Sequence, residues 1–196
     1  MTTPESETAP APFARAVAAV RAAQPRSEME VVEITAPAGL APYAIALAAD
    51  VRPTEHGIDS VLGTGRFVLL YDPEEPDAWG GPFRVVAYAQ APLETEIGID
   101  PFIAEVTWSW LIDALDARDA QYSSPSGTAT KVLSTGFGEL AGQGDAAQLE
   151  LRASWSPTGP DVGAQVEAWC DLLCMLAGLP PSSDAVSLPH RRVTRD

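Results

Sequence analysis

The nine residues YAIALAADV, numbered 43–51, alternate between two sets of side chains. One set is Tyr43, Ile45, Leu47, Ala49 and Val51, and the other is Ala44, Ala46, Ala48 and Asp50. Because successive side chains of a β-strand point to opposite faces of its sheet, the alternation predicts a strand. The row of alanines predicts that a helix approaches the sheet closely on that side.

The period of two continues in the stretches around this strand. It predicts further strands over 29–35, 66–71 and 83–90, and two more near 128–135 and 147–155. Because the first four strands follow one another with no helix between them, we expect the sheet to be mostly antiparallel.

Three other segments carry the three- and four-residue spacing of amphipathic helices. Phe13, Val17 and Val20 predict the first helix, and two more are predicted over about 101–119 and 161–177. The element order is therefore α-ββββ-α-ββ-α. We predict an α+β fold in which a single sheet of about six strands is covered on one face by three helices.

The two ends of the chain are predicted to lie outside this domain. Residues 1–11 are polar and proline-bearing, which predicts disorder, and residues 181–196 are predicted to form a flexible tail. The domain is expected to span 12–180. The N-terminus lacks a basic start followed by an apolar stretch, and no apolar run reaches the roughly eighteen residues of a membrane span, so we expect a cytoplasmic protein.

The charge balance limits the classes of partner. The chain has 27 acidic residues against 12 basic ones, which gives a net charge of −15. This charge repels phosphate backbones and so disfavours nucleic acid, whereas it tolerates a basic protein partner. One alternative stays open: association with RNA through the C-terminal tail, where the candidate contacts are Arg191, Arg192 and Arg195.

No motif in the sequence indicates a catalytic, cofactor or metal site. GFGELA, residues 136–141, matches the dinucleotide pattern, but further glycines follow it in place of a helix, so we interpret it as a hairpin loop. Gly-Thr-Gly at 63–65 leads into a strand and is interpreted as a turn. Cys170 and Cys174 share a helix face, but tetrahedral zinc needs two more ligands and both histidines are isolated. We interpret the cysteines as small buried hydrophobes.

An enzyme or a small-ligand-binding protein is the rival hypothesis. It requires a pocket between the sheet and the 101–119 helix, and the candidate polar groups are His56, Arg66, Arg84 and Tyr88. Because the sequence contains no recognisable catalytic motif, we favour binding over catalysis and expect no cofactor.

The segment PFIAEVTWSWLIDAL, residues 101–115, contains two tryptophans, Trp108 and Trp110, that cannot share a helix face. One apolar side of the predicted helix is centred on Ile103, Val106, Trp110 and Ala114, and a second on Trp108, Leu111, Ile112 and Leu115. This arc is about twice as wide as a helix lying on a sheet requires. We expect the first side to meet the sheet, and the second to be covered either by another helix of the chain or by a partner chain.

The leading hypothesis is a cytosolic binding or adaptor module. Its candidate interaction surface consists of Trp108, Ile112 and Leu115, because an uncovered apolar patch with a tryptophan is typical of an interface. The element order is also similar to that of small acidic secretion chaperones, which dimerise and hold unfolded partner segments. A chaperone-like homodimer is therefore one form of this hypothesis.

Several blocks of the sequence resemble a known family in the same order along the chain. They are LAPYAIALAADV at 40–51, GTGRFVLLYDPEEPDAWGGPFRVVAYAQA at 63–91, EVTWSWLIDAL at 105–115 and EAWCDLLCMLAGLPP at 167–181. The family is the actinobacterial one filed as domain of unknown function 3000, and the resemblance covers nearly the whole chain after its start. It has no established activity or catalytic residues, so the resemblance implies none here.

Overall fold

The computed structural model describes residues 9–53 and 61–180. The helices in these ranges are α1 (Ala11–Ala22), α2 (Thr95–Gly98), α3 (Ile103–Ala117) and α4 (Gly163–Leu176). The strands are β1 (Met29–Ile34), β2 (Tyr43–Val51), β3 (Gly63–Tyr71), β4 (Phe83–Leu93), β5 (Tyr122–Thr135) and β6 (Asp145–Pro157). Most of the predicted N-terminal tail and all of the predicted C-terminal tail lie outside the described residues. Among the described helices, none has both the length and the apolar character needed to span a membrane.

The six strands form one sheet in the order β1-β2-β3-β4-β6-β5, and every neighbouring pair is antiparallel. The predicted α+β fold with six strands and three long helices is confirmed. Two short elements were not predicted, namely α2 and a 3₁₀ helix over Gly138–Gln143. The latter lies in the connection between the paired strands β5 and β6, so the interpretation of 136–141 as a hairpin loop is confirmed.

The helices cover one face of the sheet, and α4 lies at the centre of that face. It packs against β2, β3 and β4 and also contacts α1 and α3. Two tryptophans anchor the layer: Trp155 Nε1 donates to Gln165 Oε1 of α4 at 2.8 Å, and Trp169 Nε1 of α4 donates to the backbone oxygen of Tyr88 at 3.1 Å. Each buried indole N–H thus has a hydrogen-bond partner, as a buried polar group requires.

The interpretation of Gly-Thr-Gly at 63–65 as a turn was wrong, because these residues form the start of β3. A Cβ atom on Gly65 would lie 2.7 Å from Trp169 Cζ2 and 2.8 Å from Leu173 Cδ1. The glycine is therefore explained by the close approach of α4 to the sheet, and not by a turn.

The alanine row of β2 also faces the other way from the prediction. The side chains beneath the helices are those of the Tyr43 set, including Ile45 and Leu47, which are buried in the core. Ala44 and Ala48 are half-buried on the opposite face, which no helix in the described part of the chain covers. We call this the open face of the sheet.

Candidate interaction surface

The buried stripe of α3 runs between the two apolar sides that the sequence suggested. It consists of Ile103, Thr107, Leu111, Ala114 and Leu115. Leu115 is fully buried and therefore belongs to the core of its own chain, where no partner reaches it. Val106, which was expected to meet the sheet, is 38% exposed.

The two tryptophans of α3 lie on opposite flanks of this stripe. At roughly 100° per residue, Trp108 and Trp110 stand about 80° to either side of its centre. Both are half-buried and pack against the core, so the chain itself covers part of each indole. The width of the apolar arc alone is therefore no reason to require a partner.

The flank that bears Trp108 lies over β5, the edge strand of the sheet. A Cβ atom on Gly127 of β5 would lie 2.7 Å from Trp108 Cζ3, so the indole rests directly on β5. Ile112 follows Trp108 by one helical turn on the same flank and is half-buried. Because β5 is the last strand of the sheet, no further strand among the described residues pairs beyond it.

The edge strand β5 is long and poor in charge. From residue 120 to residue 138 the only charged side chain is Lys131, and its Nζ donates to the backbone oxygen of Asp100 at 2.9 Å. A register shift between Ser123 and Ser126 interrupts the pairing with β6 near the start of the strand. The regular part of β5, over 126–135, is therefore an edge along which another strand can pair.

Apolar side chains are exposed at the end of β5, beside α2. Leu133 is 55% exposed, and its Cδ2 lies 3.2 Å from the position of a Cβ on Gly98. Next to it, Ile99 is 63% exposed and Phe102 is 64% exposed. The hairpin that follows β5 exposes Phe137. Contiguous apolar exposure of this kind is typical of an interaction site.

The charged residues around this end are almost all acidic. The exposed acids are Glu94, Glu96, Asp100, Glu105, Glu139 and Asp145. Lys131 is the one basic residue close to them in sequence. The edge of β5 therefore combines a charge-poor strand with an acidic surround.

The polar groups proposed for a pocket between the sheet and α3 do not lie there. Arg66, Arg84 and Tyr88 alternate along their strands with Phe67, Val85 and Ala87, which are buried beneath the helices. The three polar side chains therefore lie on the open face. His56 and the tail residues Arg191, Arg192 and Arg195 lie outside the described residues.

A groove of about 540 Å³ lies between α1 and the β1–β2 edge. Its lining includes Phe13, Val17 and Ile34, and an ion pair in which Arg21 Nε lies 3.0 Å from Glu33 Oε2. The paired charges neutralise one another, and Thr35 is the only hydroxyl-bearing residue of a lining that contains no histidine or cysteine. The groove is therefore lined mainly by apolar side chains and one ion pair.

Cys170 and Cys174 are free thiols buried in the core, as interpreted from the sequence. Burial raises the pKa of Cys170 well above its ordinary range, and it raises the pKa of Cys174 to about 11. Within the described ranges no three His, Cys, Asp or Glu side chains are grouped so as to hold a metal ion. Both thiols stay protonated near neutral pH and are therefore poor nucleophiles.

Comparison with known proteins places the chain in a family. The model of the family described as "Protein of unknown function (DUF3000)" matches residues 9–186. No curated protein and no solved structure matches the chain.

Proposed function

The chain belongs to the DUF3000 family of proteins of unknown function, and we propose that it is a cytosolic, non-catalytic protein-binding module. In this proposal it holds an extended segment of a partner protein as an added strand along the outer edge of β5. The observation that carries the proposal is the contact of Trp108, on the Trp108–Ile112 flank of α3, with the charge-poor edge strand β5. We call this combination of β5 and the α3 flank the edge site.

The backbone of β5 provides the affinity. One side of the strand pairs with β6, so the N–H and C=O groups on its outer side have no strand partner among the described residues. An added strand would form a ladder with them, which is the mode of recognition that several peptide-binding domains use. The regular pairing over 126–135 is long enough for a partner strand of about eight residues.

Side chains above β5 provide the specificity. Alternate residues of an added strand lie on the helix side of the sheet. There they would contact Trp108, Ile112 and Leu133, which are only half-buried or exposed in the isolated chain. The partner segment should therefore carry apolar residues at every second position.

Charge selects the remaining positions of the segment. The acidic surround of the edge site and the net charge of −15 favour a partner whose polar positions are Arg or Lys. The same charge works against a second copy of this chain and against nucleic acid.

The cytosol is the compartment that fits this chain. Its two cysteines are free thiols in the core, and the described structure does not depend on a disulfide. Proteins of reducing compartments keep their cysteines in this form.

The test uses a peptide of about eight residues that alternates valine and arginine, with blocked termini. We expect it to bind the full chain in a calorimetric titration, with an affinity that falls as salt is added. Bound peptide should also slow the hydrogen exchange of β5 amides. Two comparison peptides are an alternating valine–glutamate sequence and a backbone N-methylated form of the first, and neither should bind.

Protein variants locate the site. Ile112→Lys and Leu133→Lys should each weaken the valine–arginine peptide by on the order of 10- to 100-fold, because each removes one buried apolar contact. Val86→Lys is the matched control, since Val86 is 41% exposed but lies on the open face. Equal weakening by all three variants, or binding of the N-methylated peptide, would overturn the proposal. A wild-type dimer that Ile112→Lys dissociates, measured by sedimentation, would instead identify a second copy as the occupant.

A further inference from the structure

The centre of the open face carries three arginines, of which Arg152 is paired with Glu150 at 3.1 Å. Arg66 on β3 and Arg152 on β6 lie on either side of Tyr88, with which both are in register. Arg84 lies four residues before Tyr88 on the same strand. The row that contains Val86 separates Arg84 from the other two arginines.

Arg84 directs its hydrogen bonds to neutral oxygens only. Its Nη1 donates to the backbone oxygen of Ser124 and to Ser156 Oγ, both at 3.1 Å. Its Nη2 donates to Ser154 Oγ at 2.6 Å and to Ser126 Oγ at 3.3 Å. The guanidinium is half-buried, and burial lowers the pKa of Arg84.

Most other described arginines have a carboxylate partner. These are Arg15, Arg21, Arg26, Arg52, Arg118 and Arg152. No described carboxylate is paired with Arg84. The strand positions around it on the open face hold Leu70, Val86 and serines. Although the chain has 27 acids, the charge of this guanidinium is left without a described counter-ion.

The serines around Arg84 keep donor capacity. Ser126 Oγ and Ser154 Oγ lie 3.2 Å apart, so one hydroxyl donates to the other. Both oxygens also accept a hydrogen bond from Arg84. The hydroxyl that accepts from the other serine therefore uses its lone pairs but not its proton, and this proton is available to a ligand. The Nε–H of Arg84 also makes no hydrogen bond to a described residue, whereas Ser156 uses its proton on the backbone oxygen of Trp79. One positive charge and two donors, the Nε–H of Arg84 and the proton of one serine hydroxyl, therefore remain available in this cluster.

The backbone of β5 is shaped around this cluster. The register shift between Ser123 and Ser126 leaves Ser124 in the left-handed region at φ 50°. A non-glycine residue adopts such a conformation only where surrounding contacts hold it. Here the Ser124 carbonyl accepts from Arg84, so the bulge and the guanidinium position each other.

We infer that Arg84, Ser126 and Ser154 form a binding site for a phosphate group on the open face. The guanidinium supplies the charge and its Nε–H, and one serine hydroxyl supplies a further donor, which suits an oxyanion. Arg66, which no described carboxylate pairs, adds to the positive field of the face, whereas Arg152 is paired with Glu150. This field favours a dianion over a singly charged carboxylate. This site lies on the opposite face of the sheet from Trp108 and does not depend on the edge site.

The test titrates the full chain with inorganic phosphate and compares it with sodium acetate and sodium chloride at equal ionic strength. We expect a saturable rise in Tm with phosphate and broadening of the phosphate phosphorus resonance. Arg84→Gln should weaken binding by on the order of 10- to 100-fold, because hydrogen bonds to a charged group are lost. A double variant, Ser126→Ala with Ser154→Ala, should weaken it by a smaller factor.

Arg15→Gln is the matched control, since it removes one exposed guanidinium from α1 and should leave phosphate binding unchanged. A Tm rise that is linear in phosphate and equal in Arg84→Gln would reflect only general exclusion of the ion, and would overturn the inference. If Arg84→Gln does not fold, the serine double variant decides, and unchanged binding there would equally overturn it. A phosphoserine peptide that binds more tightly than free phosphate would identify the source as a modified protein, whereas equal affinity would identify a free phosphate.

Discussion

At Gly65 a hydrogen atom stands where any other residue would place a carbon atom against α4. A Cβ atom there would lie 2.7 Å from Trp169 Cζ2 and 2.8 Å from the backbone oxygen of Tyr88. Since Trp169 is fully buried and the backbone is fixed by the sheet, neither neighbour has room to move. We expect Gly65→Ala to destabilise the chain by roughly 1–3 kcal/mol, measured by urea unfolding.

Gly142→Ala is the control for this substitution. Gly142 is exposed, and a Cβ atom there would have nothing within 4 Å. Its effect should stay within about 0.5 kcal/mol. If both glycine variants lose the same stability, close approach of α4 is not the reason for glycine at position 65.

The sequence predicts which strand residues share a face of the sheet. It does not predict which of the two faces the helices cover. Alternation along β4 correctly groups Arg84 with Tyr88, but it does not say which face is buried. The choice depends on side-chain volume. α4 packs against Gly65 and large buried residues such as Phe67, and these point to the face opposite that of Arg84 and Tyr88. That is why the predicted pocket between the sheet and α3 does not exist for these residues.

At the level of elements, Arg118 fastens the end of α3 to α4. Its Nε lies 2.7 Å from Asp171 Oδ2, its Nη2 lies 3.1 Å from Asp171 Oδ1, and its Nη1 lies 3.0 Å from Glu167 Oε2. The two-pronged geometry and partial burial should make this pair stronger than an exposed one. In a double-mutant cycle of Arg118→Gln and Asp171→Asn, we expect a coupling free energy on the order of 1 kcal/mol.

The pair between Arg52 and Glu30 is the control for this cycle. It is as short, at 2.8 Å, but its side chains are 43% and 58% exposed. Water screens such a pair, so its coupling should be no more than about 0.5 kcal/mol. Equal coupling in the two cycles would mean that Arg118 does not fasten the helices more than any surface pair does.

The elements with a clear period were predicted, and the irregular ones were missed. β5 was expected only from about residue 128, because the Ser, Pro and Gly residues at 123–127 are typical of a loop. In the structure Ser123 pairs with Ser156 and Ser126 with Ser154, across a bulge. The hydrogen bonds of Arg84 to this segment supply a contact distant in sequence that local pattern cannot reveal.

At the scale of the whole molecule, the order of the strands in the sheet could not be predicted from the sequence. The pattern indicates antiparallel neighbours but does not reveal that β6 lies between β4 and β5. This arrangement makes β5, and not β6, the edge strand, and the edge site depends on it. Burial of Leu149 and Leu151 of β6 beneath the helices agrees with the central position of that strand.

The order of the elements also determines how the molecule should unfold. α4 is the last helix of the described chain, yet it covers β2, β3 and β4 and contacts both other long helices. The core beneath the helices is one connected cluster that includes Trp155 and Trp169. We therefore expect no part of the sheet to be stable before α4 has docked. Unfolding in urea should show one transition, with the same midpoint by tryptophan fluorescence and by far-ultraviolet circular dichroism.

Removal of α4 tests this dependence directly. A chain that ends at residue 160 should show no cooperative transition, because it lacks Trp169, which packs on Phe67, and Gln165, which accepts from Trp155. Trp169→Ala in the full chain is the milder version, and it should remove roughly 3–5 kcal/mol while keeping a single transition. A cooperative melt of the truncated chain, or two separate midpoints in the full one, would show that the β1–β4 sheet folds independently. In that case the sheet would be stable without α4, and α4 would not be required for folding.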